Sequence, residues 1–165
     1  MKQAEEKSIL QKATNTCEEH YPKDSLRIAW AAQHLGRTYQ KLNDFDSAKK
    51  YLEKSQFIYN QYKKKNSLDW ARNCVDLGDL YRGMGDNKQA ETFIMQGLEI
   101  FKASKSESKL EIADTKISLG NVYLSQRKTK KSTTCFKSAL DIYKKEEHPK
   151  QEEAKKYLNL CQKAG

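Results

Sequence analysis

Residues 75–94, VDLGDLYRGMGDNKQAETFI, decide the fold, because two similar stretches occur elsewhere in the chain. They are QHLGRTYQKLNDFDSAKKYL at 33–52 and ISLGNVYLSQRKTKKSTTCF at 117–136. Each copy carries one glycine, and the three are spaced by 42 residues: Gly36, Gly78 and Gly120. A fixed period of this size indicates a repeat architecture in which neighbouring units bury each other's apolar faces. Such a stack presents an extended surface, which favours binding over catalysis.

Aligned at this period, the apolar positions form two series in each unit. The first runs in steps of three and four from the Leu26, Leu68 and Leu110 column to the Tyr39, Tyr81 and Tyr123 column. This spacing is typical of one face of an α-helix, and the glycines inside it allow a neighbouring helix to approach closely. The second series begins at Ala48, Ala90 and Ser132, after a break where Asp44 and Asp86 are predicted N-caps. The unit is therefore predicted to be an antiparallel helical hairpin.

This pattern resembles the tetratricopeptide repeat (TPR). The signature small and large residues recur 42 and 84 residues after their first appearance at Leu35, Gly36, Tyr39, Ala48, Leu52 and Ser55. The usual unit has about 34 residues, so eight more imply roughly one additional turn on each helix, a length similar to kinesin light chain repeats. The resemblance implies an all-α fold, a right-handed α–α superhelix of antiparallel hairpins.

We expect a single TPR domain over 1–165. Its parts are a half-repeat helix at 3–19, repeats at 26–62, 68–103 and 110–145, and a C-terminal capping helix at 151–163. Four residues of the third repeat depart from the pattern, so that its hairpin should be the least tightly packed: Lys116, Gln126, Lys128 and Ser132. Because a half-repeat stands at each end, the chain is either a fragment of a longer array or a unit that pairs end to end with another copy, forming a homo-oligomer.

Composition and charge set the broad class. The chain is 37% hydrophobic and 32% charged, with only two prolines, as expected for a soluble helical protein. The net charge of +9 favours acidic partners, although it also opposes self-association. The cysteines show no metal-binding spacing: Cys17, Cys74, Cys135 and Cys161. With no apolar run long enough to span a membrane and no signal peptide, the chain is predicted to be cytoplasmic, without metal or cofactor.

The resemblance also implies a binding site, because first helices line a concave groove in this family. The groove candidates, carried over by position, are Trp30, Gln33, His34, Arg37, Arg72, Asp76, Asp79, Arg82, Asp114 and Asn121, with Ser118 beside them. A guanidinium offers paired hydrogen bonds to a carboxylate, so Arg37 and Arg72 are predicted to anchor an acidic residue of a protein or peptide partner. Asn121 would hold the partner's backbone, and Trp30 would supply buried area.

Each candidate also has a purely structural interpretation. Arg72 with Asp76, and Asp79 with Arg82, have the spacing of ion pairs within one helix. Trp30 could pack against the N-terminal helix, and His34 could be an ordinary surface residue. These alternatives stay open at the level of the sequence.

The predicted function is a protein–protein interaction scaffold. A subset of the family clamps the C-terminal carboxylates of chaperones, but Asp114 would repel a carboxylate, so that partner class is not expected. Catalytic motifs are absent from the sequence, which argues against an enzyme and leaves no catalytic residue to name. The alternative function is binding of nucleic acid or an acidic membrane or protein surface through two basic runs, 63–65 and 127–131, both interpreted as loops.

Overall fold

The structure, a computed structural model, describes residues 5, 8, 9, 11, 12, 15, 16, 19, 25–62, 67–104 and 108–163. Its three long ranges contain α-helices and no strand. In chain order these helices are α1 (Leu26–Lys41), α2 (Phe45–Gln61), α3 (Leu68–Gly83), α4 (Asn87–Ala103), α5 (Lys109–Ser125), α6 (Thr129–Lys145) and α7 (Gln151–Lys163). The predicted all-α repeat solenoid is confirmed.

Tight turns join the helices of each hairpin in the same way. The residue that reverses the chain has a positive φ at equivalent positions of the three repeats: Asn43, Gly85 and Arg127. In the first two turns an aspartate then caps the second helix, because Asp44 accepts from the Ser47 N–H at 3.1 Å and Asp86 from the Gln89 N–H at 3.0 Å. Both predicted N-caps are confirmed.

The repeated glycines allow close packing inside each hairpin. A Cβ atom placed on Gly78 would lie 2.4 Å from Ile94 Cγ1, and one on Gly36 would lie 2.7 Å from Leu52 Cγ. Gly120 has the same relation to Phe136. Any side chain at these positions would therefore force the paired helices apart, which explains why helix-weakening glycine is used there.

The first helices lie on the inner side of the stack. α1 contacts α3, and α3 contacts α5, in addition to the contacts within and between adjacent hairpins. Among the described residues, no contact of similar extent joins α2 with α4 or α4 with α6. First helices that lie closer together than second helices produce a surface that is concave on the side of α1, α3 and α5.

The two ends of the stack are covered differently. At the C-terminal end α7 packs on α6, with Ala154 buried and the Tyr157 ring stacked on Phe136 at 5.0 Å between centroids. At the N-terminal end the described residues between 5 and 19 are helical, and Gln11 Oε1 accepts from the hydroxyls of Tyr39 and Tyr51. The other residues of the predicted half-repeat helix lie outside the described part of the chain.

Candidate functional site

The concave side of the solenoid holds an open pocket of about 560 Å³, which we call the inner pocket. Its apolar lining comes from Val75, Phe101, Leu110 and Ile117. Charged side chains surround this lining, and five of the predicted groove residues are among them: Arg37, Arg72, Asp76, Asp79 and Asp114. An apolar surface with a few convergent polar groups is the usual composition of a binding site.

Asp76, on α3, links the first hairpin to the second. Its Oδ2 accepts from Gln33 Nε2 at 2.6 Å, and its Oδ1 lies 3.4 Å from Arg37 Nε, both on α1. Gln33 is itself buried and accepts from the Tyr59 hydroxyl at 3.4 Å. Burial raises the pKa of Asp76 to about 7, although Arg37 and Gln33 act in the opposite direction.

Asp79 makes the equivalent link between the second and third hairpins. It accepts a 2.8 Å hydrogen bond from the Ser118 hydroxyl on α5, and Arg82 Nε lies 3.7 Å from its carboxylate. The second contact confirms the helix pair predicted from the spacing of Asp79 and Arg82. Burial raises the pKa of Asp79 as well, against the opposing effects of the Ser118 hydrogen bond and the Arg82 charge.

Arg72 does not pair with Asp76, and this part of the sequence interpretation is wrong. Its guanidinium contacts Asp69 at 2.9 Å, one turn earlier on α3, and Glu111 at 2.8 Å on α5. Glu111 lies 39 residues away in the chain, so helix spacing alone could not identify it. The arginine that was expected to be open to a partner already bridges two hairpins, although 43% of its side chain is exposed.

Asp114 closes the C-terminal end of the inner pocket. Its Oδ1 accepts from the Tyr143 hydroxyl at 2.5 Å and from Lys150 Nζ at 2.7 Å. Burial raises the pKa of the Tyr143 hydroxyl most strongly, and the adjacent Asp114 carboxylate raises it further. This aspartate thus joins α5 to α6 and to the segment that leads into α7.

The inner pocket differs in charge from the rest of the chain. Five carboxyl groups line it, whereas three arginine or lysine side chains do, in a protein whose net charge is +9. Most of these groups bridge adjacent repeats, so they connect the hairpins and also provide the polar surface that a ligand would meet. Each exposed pair contributes at most about 1 kcal/mol to folding.

The remaining predicted groove residues lie outside the wall of the inner pocket. Trp30 is 54% exposed, and its ring lies 4.2 Å from that of His34 between centroids. Gln33 and Arg82 do not line the pocket but contact two residues that do, Asp76 and Asp79 respectively. Asn121 lies one turn beyond Ser118 on α5.

Sequence reasoning missed a second set of pocket residues, which lie on α5, α6 and α7 or next to them: Glu111, Tyr143, His148, Lys150 and Glu153. Tyr143 lies on the second helix of its hairpin, and His148 lies between α6 and α7, so that neither stands on the first-helix face from which the candidates were taken. One signal could have identified Glu111: the equivalent positions of the other two repeats, Arg27 and Asp69, are also charged.

Within the described residues, no group of three histidine, cysteine, aspartate or glutamate side chains is placed to hold a metal ion. No helix there is long and apolar enough to cross a membrane.

Replacing Asp76 by asparagine should flatten the pH dependence of stability. Because the folded-state pKa is about 7 and the ordinary value is 3.8, the contribution of Asp76 to stability falls as pH rises from about 4 to 7. Asparagine keeps an acceptor for Gln33 and carries no charge to bury. We expect its free energy of unfolding at pH 8 to exceed that of the wild type by an amount on the order of 1 kcal/mol.

Urea unfolding at several pH values, followed by circular dichroism, measures this effect. Asp141→Asn, at an exposed position of α6, is the matched control and should leave the pH profile unchanged. A difference in stability between Asp76→Asn and the wild type that does not grow between pH 4 and 7 would contradict the assignment.

A stack of 42-residue helical hairpins with a concave inner side defines a helical-repeat solenoid protein. Residues 70–145 match one family model described as tetratricopeptide repeat, and residues 31–59 match a second with the same description. Together the two matches cover well over half of the chain. The chain belongs to the tetratricopeptide repeat family.

Solved structures show the same fold at low sequence identity. BtubC (BKLC) from P. vanneervenii is 21% identical with a TM-score of 0.75, and the comparison covers 87% of this chain and 58% of BtubC. The nearly identical TPR-like repeats of a P. anserina protein assigned as a kinesin light chain are 15% identical with a TM-score of 0.77, over 98% of this chain and 78% of that one. Among curated proteins, no sequence matches the chain. The repeat fold is therefore of the kinesin light chain type.

Proposed function

We propose that this protein is a scaffold that binds a segment of a partner protein in the inner pocket. Tetratricopeptide repeats generally mediate protein–protein interaction, which supports this assignment. The observation that carries it is the pocket itself, which is open, concave and lined by successive hairpins, with apolar side chains beneath charged ones. An extended or helical segment could bury apolar side chains there while its polar groups meet the charged walls.

The distribution of charge supports a preferred direction for the partner segment. Arg37 and Arg72 come from the first two hairpins, whereas Asp114 and Glu153 lie toward the C-terminal end. The arginine side chains are 49% and 43% exposed, so an acidic residue of the partner can share them with Asp76 and Glu111. We propose that an acidic residue binds at the arginines and a basic residue toward Asp114. Trp30, His34 and Asn121 would extend the contact beyond the pocket.

The proposal also covers enzymatic activity, cofactors and location. Members of this family are typically scaffolds without enzymatic activity, and we propose the same here, with no cofactor and a cytoplasmic location. The chaperone carboxylate clamp is not part of the proposal, because Asp114 would repel a terminal carboxylate. We also propose that copies of the chain pair through the ends of the stack.

Removing the two arginine charges should weaken partner binding with little effect on folding. In the variant Arg37→Gln/Arg72→Gln, both charges are lost while a polar side chain remains at each position. The matched control, Lys88→Gln/Lys144→Gln, removes two charges at exposed positions on α4 and α6. Proteins captured from cell lysate at low and high salt would be identified by mass spectrometry, and thermal unfolding should shift by no more than about 2–4 °C for each of the three ion pairs lost.

Partners retained at high salt by the wild type and the control, but lost with the arginine variant, would support the proposal. Equal capture by all three proteins would contradict it. Charge reversal is unsuitable for this test, because a glutamate at position 37 would face the Asp76 carboxylate.

The alternative, binding of nucleic acid or acidic surfaces, is an outcome of the same experiment. Recovery of only salt-labile nucleic acid or acidic material would favour it. Of the two basic runs, 63–65 lies outside the described residues. The second was interpreted as a loop, which is wrong in part: Lys130 and Lys131 lie in α6, which begins at Thr129.

A further inference from the structure

The third repeat lacks an aromatic pair that the first two repeats share. Tyr39 stacks on Tyr51 at 5.5 Å between ring centroids, and Tyr81 stacks on Phe93 at 5.4 Å. At the equivalent position of the third repeat Cys135 replaces the second ring. The face of Tyr123 is then approached by two ammonium groups, those of Lys131 at 5.3 Å and Lys128 at 5.8 Å from the ring centroid.

The smaller side chain is accompanied by a pocket of about 350 Å³ on the outer side of the stack, between α4, α5 and α6. We call it the outer pocket. Leu98, Leu119 and Tyr123 line it and are buried. Met95, which is 42% exposed, adds a further apolar surface. The volume is within the range of about 300–1,000 Å³ that ligand sites usually occupy.

Lysines surround this apolar surface. Lys102, Lys116 and Lys131 line the outer pocket from three different helices, whereas Glu99 is its one acidic lining residue. Lys116 occupies a position where the first two repeats have Ala32 and Cys74, and its Nζ donates to Ser138 Oγ at 2.7 Å. Burial raises the pKa of Cys135, and the charges of the same three lysines act in the opposite direction, so all three lie near this lining residue.

We propose that the outer pocket is a second docking site, for an acidic segment of a partner protein that carries an apolar side chain. The apolar side chain would enter the space between Leu98, Leu119 and Met95, and flanking carboxylates would pair with the lysines. Charge complementarity decides the occupant, because three ammonium groups converge on a small apolar cavity. Tyr123 is only 8% exposed and partly covered by lysines, so the pocket does not offer a stacking platform for a nucleic-acid base.

This proposal is independent of the inner pocket, and its test uses defined peptides. The probe is a short fluorescein-labelled peptide with one leucine between glutamates, and the matched probe has glutamine in place of every glutamate. Fluorescence anisotropy with the wild type should show saturable binding of the acidic probe below about 1 mM and much weaker binding of the matched probe.

Two variants test whether the probe binds in the outer pocket. Cys135→Phe restores the aromatic pair of the other repeats and fills the cavity, so it should abolish binding without lowering the melting temperature. Lys102→Gln/Lys131→Gln should weaken binding about tenfold. Lys88→Gln/Lys144→Gln, which removes the same charge outside the lining of this pocket, should leave binding unchanged. Saturating probe should also slow alkylation of Cys135 in a Cys17→Ser background, in which Cys74 and Cys161 are buried.

Several outcomes would overturn the proposal. One is absence of saturable binding up to about 1 mM. A second is binding that survives both Cys135→Phe and the lysine variant, because the probe would then occupy another surface. Loss of binding only in Arg37→Gln/Arg72→Gln would assign the probe to the inner pocket. Tighter binding of single-stranded RNA or anionic vesicles than of the peptide, with the same dependence on the lysines, would make the site one for nucleic acid or membrane.

Discussion

Replacing Gly78 by leucine is expected to unfold the middle hairpin. A Cβ atom at this position would lie 2.4 Å from Ile94 Cγ1 and 3.0 Å from the Ala90 carbonyl oxygen. Ile94 is fully buried, and the carbonyl belongs to the backbone of α4, so neither can move without separating α3 from α4. Overpacking of a core usually costs about 1–3 kcal/mol, and a leucine adds three further carbon atoms to a site too small for one. We expect a loss at or above the upper end of this range.

Differential scanning calorimetry measures this loss as a fall in melting temperature. In a chain of this size, each kcal/mol lost lowers the melting temperature by about 2–4 °C. Gln96→Leu, which adds a leucine at an exposed position of α4, is the control and should shift stability by less than about 0.5 kcal/mol. Equal melting temperatures for the two variants would show that the helices do not meet at Gly78.

Replacing Phe136 by alanine should detach the C-terminal end of the stack. Phe136 is fully buried, packs directly against Gly120 and stacks on Tyr157 of α7 at 5.0 Å between centroids. Its ring therefore joins three helices. Truncation of a buried phenylalanine costs about 3–5 kcal/mol through lost contacts and the cavity that remains.

Hydrogen exchange distinguishes local from global loss in this variant. Amides of α7 should exchange faster than those of α3, because the missing ring releases the capping helix first. Lys137→Ala, at the next and exposed position, should behave as the wild type. Uniform acceleration over all helices would contradict a local role for Phe136.

The fold was predictable because its main signals are local. The glycines, the three- and four-residue steps and the two capping aspartates each describe contacts within one hairpin, and the 42-residue period repeats that hairpin. Backbone geometry dictates these contacts once a helix forms. The interpretation of 127–131 as a loop failed in part, because the third turn has Lys128 where the others have a capping aspartate, and the start of α6 could not be seen.

The candidate site was predictable only in part. The face of each first helix that looks into the concave side follows from helical spacing, and five of the ten candidates line the inner pocket. What those side chains contact did not follow. Spacing offered Asp76, one turn away, as one alternative partner of Arg72, whereas its partners are Asp69 and Glu111. Spacing gives neighbours within a helix but not those across hairpins.

The sequence by itself therefore determined the helical hairpin, its repetition and the residues that pack helix against helix. Tertiary structure decided how the charges are paired, that Asp76 is half-buried between two hairpins, and that Cys135 lies in a lysine-lined cavity. The physical reason is one of distance. Helix formation and hairpin packing depend on residues a few turns apart, whereas the groups that meet between repeats depend on how each hairpin is rotated against the next.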